Sequence, residues 1–342
     1  MNRAPVRTLI VDDSATMRAM IAHSLSQDDE IEVIGAADGP ATAREMIKQL
    51  NPDVITLDVE MPGMNGLDFL DKIMRLRPMP VVMLSTLTGR GAEATIRALE
   101  LGAFDCYQKP NRSNGGDLGD GLTQLVKAAA RSRRRARAIE PAHPSAPADY
   151  APRPGTLIAI GSSTGGVETL IELLSGFPEQ CPPTVIVQHM PEPYVPTFAA
   201  RLDRLSAPKV SVARSGAPLA AGHVYIAPGG ARHMEITGGT MPRCRLVEGD
   251  KVSGHRPSVD RLFHSIARVA SRDTVGVILT GMGADGAEGL KAMRAAGART
   301  FGQDQESSVV YGMPQVAWQI GAVETQLPLS RIASRVLLEC RA

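Results

Sequence analysis

Apolar runs and amphipathic stretches alternate along the first part of the chain. The apolar runs predict buried strands at residues 6–11, 31–37, 53–57, 80–84 and in a short segment that ends near residue 107. The stretches between them carry apolar side chains at helical spacing and predict helices. Five strand–helix units in succession predict an α/β fold with a doubly wound, parallel (βα)5 sheet.

The same alternation resumes near residue 155. The runs predict further buried strands at 157–160, 183–189, 209–213, 222–227, 274–279 and 299–302. An alternating segment at 232–247, with Gly238 and Gly239 in the middle, predicts an antiparallel hairpin. The pattern therefore predicts a second doubly wound, mostly parallel sheet with one antiparallel hairpin.

A change of composition separates the two sets of strands. Residues 115–121 are rich in glycine, 131–137 are rich in arginine, and five prolines stand between 139 and 155. A proline-rich polar stretch cannot form a packed core and acts as a semi-rigid spacer. We expect one domain over 1–125, a helix end and linker over 126–154, and a second domain over 155–342. The arginines are interpreted as a solvated helix end, with a nucleic-acid patch as the alternative.

Composition and charge narrow the classes of function. The 342-residue chain is long enough for two hydrophobic cores. Its net charge of +1 and its aromatic content of 4% argue against nucleic acid as a partner. It has no apolar run of membrane-spanning length, and its four cysteines form no CxxC pair. We expect no signal peptide, because residues 1–5 lead directly into a predicted strand. We expect a cytoplasmic protein with reduced thiols and no membrane insertion.

Polar residues gather at the ends of the predicted strands in the first domain. They are Asp12, Asp13, Asp58, Ser85 and Lys109. Because the carboxyl ends of parallel strands meet at one edge of a sheet, three carboxylates would lie close together and would need a divalent cation. Hard oxygen ligands favour Mg²⁺, which together with Lys109 could neutralise a phosphoryl group on Asp58. Each residue alone could merely cap a helix, but the combination favours a site.

Three chemically complementary residues follow predicted strands in the second domain. Ser163 lies in a Gly-Ser-Ser-Thr-Gly-Gly turn, and His189 and Asp285 also come just after strands. A serine hydroxyl needs a base to take its proton, and a carboxylate can orient a histidine for that task. The chain order differs from that of the α/β-hydrolases, and the turn is not a GxSxG elbow. A structural histidine and a dinucleotide or phosphate site on the glycine-rich turn therefore stay open as alternatives.

The strand-end residues of the first domain belong to a wider set of motifs. The Asp12–Asp13 pair, Asp58 with the following 61–66 segment, Ser85 and Lys109–Pro110 together resemble a response-regulator receiver domain.

The receiver resemblance implies roles for these residues. Asp58 would be the phosphoacceptor, and Asp13, Asp58 and the Glu60 backbone carbonyl would bind Mg²⁺, with Asp12 nearby. Ser85 would be the switch hydroxyl, and Lys109 would contact the phosphoryl group. Cys106 departs from the pattern, because receivers often carry an aromatic switch residue there. The adjacent Tyr107 is expected to point to the other face of its strand.

The motifs of the second domain resemble another catalytic module. They are IGSSTGG at 160–166, QHMP at 188–191, PGG at 228–230, HRPSVD at 255–260 and LTGMGADGAEG at 279–289. This set is similar to the catalytic domain of the chemotaxis methylesterases. Together with the receiver motifs, it identifies the chain as a member of the CheB family, the chemotaxis response regulators with protein-glutamate methylesterase activity.

The resemblance assigns the residues of the second domain. Ser163 would be the nucleophile, His189 the general base and Asp285 its orienter, with the Met282 backbone N–H as oxyanion donor and no cofactor. Ser162 stands where the family often has alanine, so Ser162 and Thr164 are rival hydroxyls.

The resemblance also implies substrate, partner and regulation. The substrates would be methyl-accepting chemoreceptors, whose glutamate methyl esters are hydrolysed and whose glutamines are deamidated. A chemotaxis-type histidine kinase would be the phosphodonor. We expect the unphosphorylated receiver to restrict access to Ser163 and phosphorylation of Asp58 to relieve this. The alternatives are a phospho-switched adaptor without needed esterase activity, a nucleotide-binding second domain and a DNA-binding regulator. The last is disfavoured because no compact helix-turn-helix is present.

Overall fold

The computed structural model describes residues 4–61, 64–86, 89–109, 118–132, 150–238, 241–269 and 273–342. The chain divides into two compact units, Met1–Ala136 and Arg137–Ala342, called here the first and second units. Residues 115–117 of the predicted glycine-rich segment, residues 133–137 of the arginine-rich run and most of the proline-rich linker lie outside the described residues. No helix within the described ranges is long and apolar enough to cross a bilayer.

The first unit is a five-stranded parallel sheet with helices between its strands. Its strands are β1 (Val6–Val11), β2 (Ile31–Ala37), β3 (Val54–Asp58), β4 (Val81–Ser85) and β5 (Asp105–Gln108). Its helices are α1 (Ala15–Leu25), α2 (Pro40–Leu50), α3 (Gly66–Leu76), α4 (Gly89–Glu100) and α5 (Gly119–Ser132). The strand order is β2-β1-β3-β4-β5, which confirms the predicted (βα)5 fold.

Local sequence explains where these elements begin. Every residue of β3 and β4 is buried, as expected for central parallel strands covered on both faces. The Ser14 hydroxyl accepts a hydrogen bond from the Met17 N–H at 3.3 Å and so caps α1. The Asn65 side chain caps α3 through the Asp68 N–H at 2.9 Å.

The second unit contains a seven-stranded parallel sheet. Its strands are β6 (Leu157–Ser162), β7 (Thr184–Gln188), β8 (Lys209–Val212), β9 (His223–Ile226), β12 (Thr274–Ile278), β13 (Arg299–Gln303) and β14 (Thr325–Leu327), and β10 (Arg232–Thr237) and β11 (Arg243–Glu248) form a separate antiparallel hairpin. Its helices are α6 (Gly166–Ser175), α7 (Val195–Leu205), α8 (Val259–Val269), α9 (Ala287–Ala295), α10 (Met313–Gln319) and α11 (Leu329–Glu339). The order β14-β13-β12-β6-β7-β9-β8 confirms the predicted mostly parallel fold with a hairpin.

The centre of this sheet and helix α8 position the candidate functional residues. Strands β6, β7 and β12 are buried along their whole lengths. Helix α8 packs between the β10–β11 hairpin and α9, and its inner face buries Phe263 and Ile266. The Ser265 hydroxyl accepts a hydrogen bond from the Ile236 N–H at 2.8 Å, which ties the hairpin to α8. The hairpin and α9 thereby hold α8 against β6 and β7.

Candidate functional site

Three turns at the carboxyl edge of the second sheet lie side by side. They follow β6, β7 and β12, which are neighbours in the sheet although β12 is distant in the chain. The His189 N–H donates to the Ser162 carbonyl at 3.0 Å, and the Ser163 N–H donates to the Thr280 carbonyl at 3.0 Å. The strand register therefore brings the turns of Ser163, His189 and Asp285 together.

Glycines allow the close packing around Ser163. Gly165 has φ of 76°, a conformation that favours glycine. A side chain on Gly281 would place its Cβ 2.8 Å from the Ser163 Cβ, closer than such atoms approach. The turn after β12 therefore packs directly against Ser163, whose side chain is buried at the start of α6.

Gln188, at the end of β7, joins the backbones of the two candidate catalytic residues. Its buried side-chain amide donates from Nε2 to the Ser163 carbonyl at 2.9 Å and to the His189 carbonyl at 3.0 Å. Its Oε1 accepts a hydrogen bond from the Ser162 hydroxyl at 2.6 Å. The rival hydroxyl of Ser162 is therefore engaged in a buried structural contact. Gln188 carries no role in the sequence prediction, although it lies within the QHMP motif.

His189 and Asp285 form a buried pair. The His189 Nε2 lies 2.8 Å from the Asp285 Oδ2, and the two side chains are 7% and 0% exposed. A neutral histidine that donates from Nε2 to a carboxylate has its lone pair on Nδ1. The Nδ1 of His189 is buried and has no hydrogen-bond partner among the described residues. This nitrogen is thus free to accept a proton.

Asp285 accepts three further hydrogen bonds from the segment that begins α8. The Ser258 hydroxyl donates at 2.7 Å, the Val259 N–H at 2.7 Å and the Asp260 N–H at 3.1 Å. Burial by itself would raise the pKa of Asp285, but the bonds from His189, Ser258 and Val259 outweigh it and lower that pKa. The carboxylate is therefore held ionised at a helix N-terminus. The HRPSVD motif contains these donors, but the sequence pattern alone does not reveal this role.

The Met282 N–H is a suitable candidate for an oxyanion donor. Met282 is half-buried and directly follows Gly281, which packs against Ser163. Its N–H donates no hydrogen bond to any residue in the described part of the chain, whereas the carbonyl of Gly281 accepts from Gly312 and Met313. A free N–H beside the serine fits an oxyanion role, which stays a prediction.

The Ser163 hydroxyl makes no hydrogen bond to His189 or to any other described side chain. The two residues lie on neighbouring turns, joined through Gln188 and through the His189 N–H. Catalytic hydrogen bonds are often long in the absence of substrate and tighten in the complex, so this geometry is compatible with the predicted pair.

The carboxyl edge of the first sheet carries an acidic cluster with one lysine. Ligand oxygens of Asp12, Asp13 and Asp58 lie within 4.8 Å of one another. The Lys109 Nζ lies 2.7 Å from the Asp12 Oδ2 and 2.7 Å from the Asp58 Oδ1. Three carboxylates supply the hard oxygen donors that Mg²⁺ prefers, so these residues fit this cation.

Burial dominates the electrostatics of this cluster. It raises the pKa of Asp58 to about 6, with Lys109 opposing the shift and Asp12 adding to it. Burial would lower the pKa of Lys109, but hydrogen bonds and attraction from Asp12 and Asp58 outweigh it and raise that pKa. The lysine therefore stays charged, while the negative charge of Asp58 is only partly balanced by its neighbours.

Asp58 and its neighbours leave one carboxylate oxygen available. The Asp58 Oδ1 contacts Lys109 and accepts a hydrogen bond from the Glu60 N–H at 3.2 Å, whereas Oδ2 has no hydrogen-bond partner among the described residues. A side chain on Gly66 would come within 2.0 Å of the Asp58 carbonyl oxygen, so only glycine fits at the start of α3. The backbone thus approaches the candidate phosphoacceptor closely.

The predicted switch hydroxyl connects to helix α4. Ser85 is buried, and the Thr95 hydroxyl donates to its Oγ at 3.2 Å. The Cys106 Sγ donates to the Thr95 carbonyl at 3.7 Å, so Cys106 faces α4. The Tyr107 hydroxyl instead donates to the Leu118 carbonyl, beside α5. Tyr107 thus points to the other face of β5, as expected.

Two protein-family profiles match this chain. Residues 8–115 match the profile of the response regulator receiver domain, and residues 158–336 match that of CheB methylesterase. The second match covers more than half of the chain. The chain therefore belongs to the CheB methylesterase family, with a receiver domain ahead of the methylesterase domain.

Individual relatives agree with this assignment. A protein of Rhizobium etli named protein-glutamate methylesterase/protein-glutamine glutaminase is 58% identical over 98% of this chain and 96% of its own length. A Caulobacter vibrioides protein, named protein-glutamate methylesterase/protein-glutamine glutaminase 1, is 58% identical over 98% of both chains. The crystal structure of the Thermotoga maritima CheB methylesterase catalytic domain is 35% identical, with a TM-score of 0.52 over 54% of this chain and 98% of that one.

Proposed function

We propose that this chain is a phosphorylation-activated enzyme that hydrolyses glutamate methyl esters of chemoreceptors and deamidates receptor glutamines. The contact that supports this most directly is the 2.8 Å contact between His189 Nε2 and Asp285 Oδ2. It leaves the basic Nδ1 of His189 in a buried site next to the Ser163 turn. The names of relatives 58% identical over nearly the whole chain supply the substrate class.

The proposed reaction is acyl transfer through Ser163. The Ser163 oxygen attacks the ester carbonyl carbon while His189 Nδ1 accepts the hydroxyl proton. Asp285 stabilises the imidazolium, and the Met282 N–H stabilises the tetrahedral oxyanion. The imidazolium then protonates the leaving oxygen, and methanol departs from an acyl-enzyme. A water molecule hydrolyses this acyl-enzyme with His189 again as base. Ammonia is the leaving group when the substrate is a glutamine.

Asp58 is the proposed phosphoacceptor of the receiver. Asp13, Asp58 and the Glu60 carbonyl would hold Mg²⁺, with Asp12 nearby. When bound, the cation would neutralise phosphoryl oxygens during transfer. Lys109 would contact the phosphoryl group. The Ser85 hydroxyl would turn towards that group and so change its hydrogen bond with Thr95 of α4. A chemotaxis-type histidine kinase would supply the phosphoryl group.

We further propose that the enzyme acts in the cytoplasm on methyl-accepting chemoreceptors. All four cysteines are free thiols, and the three in the second unit are buried, which suits a reducing compartment.

Methanol release from methylated receptor membranes tests the proposal. We expect release by the wild-type chain to rise with a small-molecule phosphodonor plus Mg²⁺, and Ser163→Ala to abolish it. Ser162→Ala and Thr164→Ala test the rival hydroxyls and should keep most of the activity. Asp58→Asn should remove the response to phosphodonor.

Different failures have different meanings. Release that ignores the phosphodonor would contradict the Asp58 switch and leave the esterase. Methanol release that survives Ser163→Ala but not Ser162→Ala would identify Ser162 as the nucleophile in place of Ser163. No release from any methylated receptor tested would favour an adaptor that works without esterase activity.

A further inference from the structure

His255 lies against the candidate catalytic histidine and has no role in the reaction described above. Its ring stacks on that of His189, with centroids 3.7 Å apart and planes inclined by 5°. This parallel contact is shorter than the usual separation of aromatic pairs. It covers one face of the imidazole whose Nε2 is bound to Asp285.

A rigid turn presents the His255 ring. The backbones of Val252 and His255 exchange two hydrogen bonds, of 3.0 and 2.9 Å. The two residues between them, Ser253 and Gly254, have φ of 51° and 81°, which is the conformation of a type I′ turn. The ring is therefore carried by a closed two-residue turn and not by a loose loop.

The next residue anchors the other end of the turn. The Arg256 guanidinium donates from Nε to the Gly230 carbonyl at 2.7 Å and from Nη1 to the Gly249 carbonyl at 2.7 Å. Ser258 and Val259 then donate to Asp285. One continuous segment, residues 252–260, thus contacts both the ring of His189 and the carboxylate that binds it.

We propose that His255 is a positioning residue for the general base. Its ring holds the His189 imidazole in the orientation that places Nε2 on Asp285 and leaves Nδ1 for Ser163. It also keeps water from one face of the imidazole, which strengthens the charge-assisted hydrogen bond to Asp285. The expected loss of activity rests on the proposed function, whereas the expected change in the His189 tautomer does not.

The charge state of His255 suits this role. The groups that act on it are His189, Asp285 and Lys251. Burial, then repulsion from His189 and Lys251, lowers the pKa of His255 to about 4, with Asp285 opposing the shift. The ring is neutral at pH 7, so it does not repel the imidazolium that forms on His189 in each turnover.

Two substitutions of His255 in the full-length chain distinguish the effect of ring stacking from a general effect on the folded structure. His255→Ala removes the ring, and His255→Phe keeps an aromatic face without a titrating group. His264→Ala is the matched control, since His264 is an exposed histidine on α8. The readouts are kcat and KM for methylated receptor, and the ¹⁵N chemical shifts of His189, which report its tautomer.

We expect His255→Ala to lower kcat by about tenfold to a hundredfold, with little change in KM. A displaced general base slows the chemical step but does not weaken substrate binding. The His189 shifts should change from one tautomer to a mixture. His255→Phe should restore both readouts, and His264→Ala should match the wild type.

Two results would overturn the proposal. One is a His255→Ala enzyme with the wild-type kcat and tautomer. The other is a stably folded His255→Phe variant as impaired as His255→Ala. Failure of the proposed function is distinguishable, because a wild-type chain without Ser163-dependent hydrolysis would still show whether the tautomer of His189 depends on His255.

Discussion

The two units bury a carboxylate at the same place in similar sheets but surround it in opposite ways. Asp285 accepts bonds from His189, a serine hydroxyl and two backbone N–H groups, and its pKa is lowered although burial opposes this. Asp58 has Lys109 and one backbone N–H beside it, shares its site with two further carboxylates, and has its pKa raised to about 6.

This difference fits the proposed roles, in which Asp285 is a fixed electrostatic support and Asp58 is a reactive group. Asp285 has its charge satisfied by groups that the fold supplies, so it can stabilise an imidazolium without rearranging. The negative charge of Asp58 is only partly balanced by the protein, so a divalent cation would stabilise it. Parallel sheets thus provide the location, and the donors around each carboxylate set its chemistry.

The largest expected effect comes from removing the charge of Asp285. Asp285→Asn should lower kcat by about 10³–10⁴-fold, because the amide no longer holds His189 in its tautomer or stabilises the imidazolium. Methanol release under saturating receptor measures it. Asp273→Asn, which changes an exposed carboxylate in the same unit, is the control. A loss smaller than tenfold would mean that Asp285 is not the orienting group.

Replacing Asp58 tests the other side of the comparison through stability. The folded state raises the pKa of Asp58 to about 6 from an ordinary 3.8, so it binds this proton more tightly than the unfolded chain. Stability is therefore lost as pH rises from 3.8 through 6, by about 3 kcal/mol in all. Asp58→Asn should become more stable than wild type across this window.

Urea unfolding between pH 4 and 7.5 measures the difference in unfolding free energy between the wild type and Asp58→Asn. The relevant unfolding transition is the one that Mg²⁺ shifts, because it belongs to the unit that carries Asp58. Added Mg²⁺ should narrow the difference by stabilising only the wild type. Asp71→Asn, an exposed change on α3, should give a difference that is nearly flat with pH. If the stability difference between the wild type and Asp58→Asn were the same at every pH, it would contradict the raised pKa.

The smallest expected effect comes from removing one donor of Asp285. Ser258→Ala deletes the 2.7 Å bond to Oδ1 but leaves His189 and two N–H donors in place. We expect a loss of about 2 kcal/mol in stability, typical of a hydrogen bond to a charged group, and a smaller fall in kcat than in Asp285→Asn. Thermal unfolding and methanol release are the measurements, with the exposed Ser175→Ala as control. Equal losses of kcat in Ser258→Ala and Asp285→Asn would mean that the carboxylate depends on this hydroxyl alone.

Much of the fold could be predicted because burial leaves a local pattern. The runs of β3, β6 and β12 are mostly apolar and are buried along their whole lengths, as parallel strands covered on both faces require. In the last part of the chain, α11 buries Leu329, Ile332 and Val336 at helical spacing but was not predicted, whereas two shorter elements lack such a pattern. Strand β14 has only three residues, Thr-Gln-Leu, and α10 is a seven-residue helix, so neither was predicted.

Apolar runs and turn residues act locally, so the chain alone predicts which polar residues follow strands. They are Ser163, His189, Asp285, Asp58 and Lys109. The contacts of these residues depend on the packing of distant segments. The order β12-β6-β7 places Asp285 beside His189 across 96 residues, and Gln188, Ser258 and His255 gain their roles from the same packing. The physical reason is that secondary structure follows from neighbours in the chain, whereas strand order and helix docking follow from burying distant surfaces together.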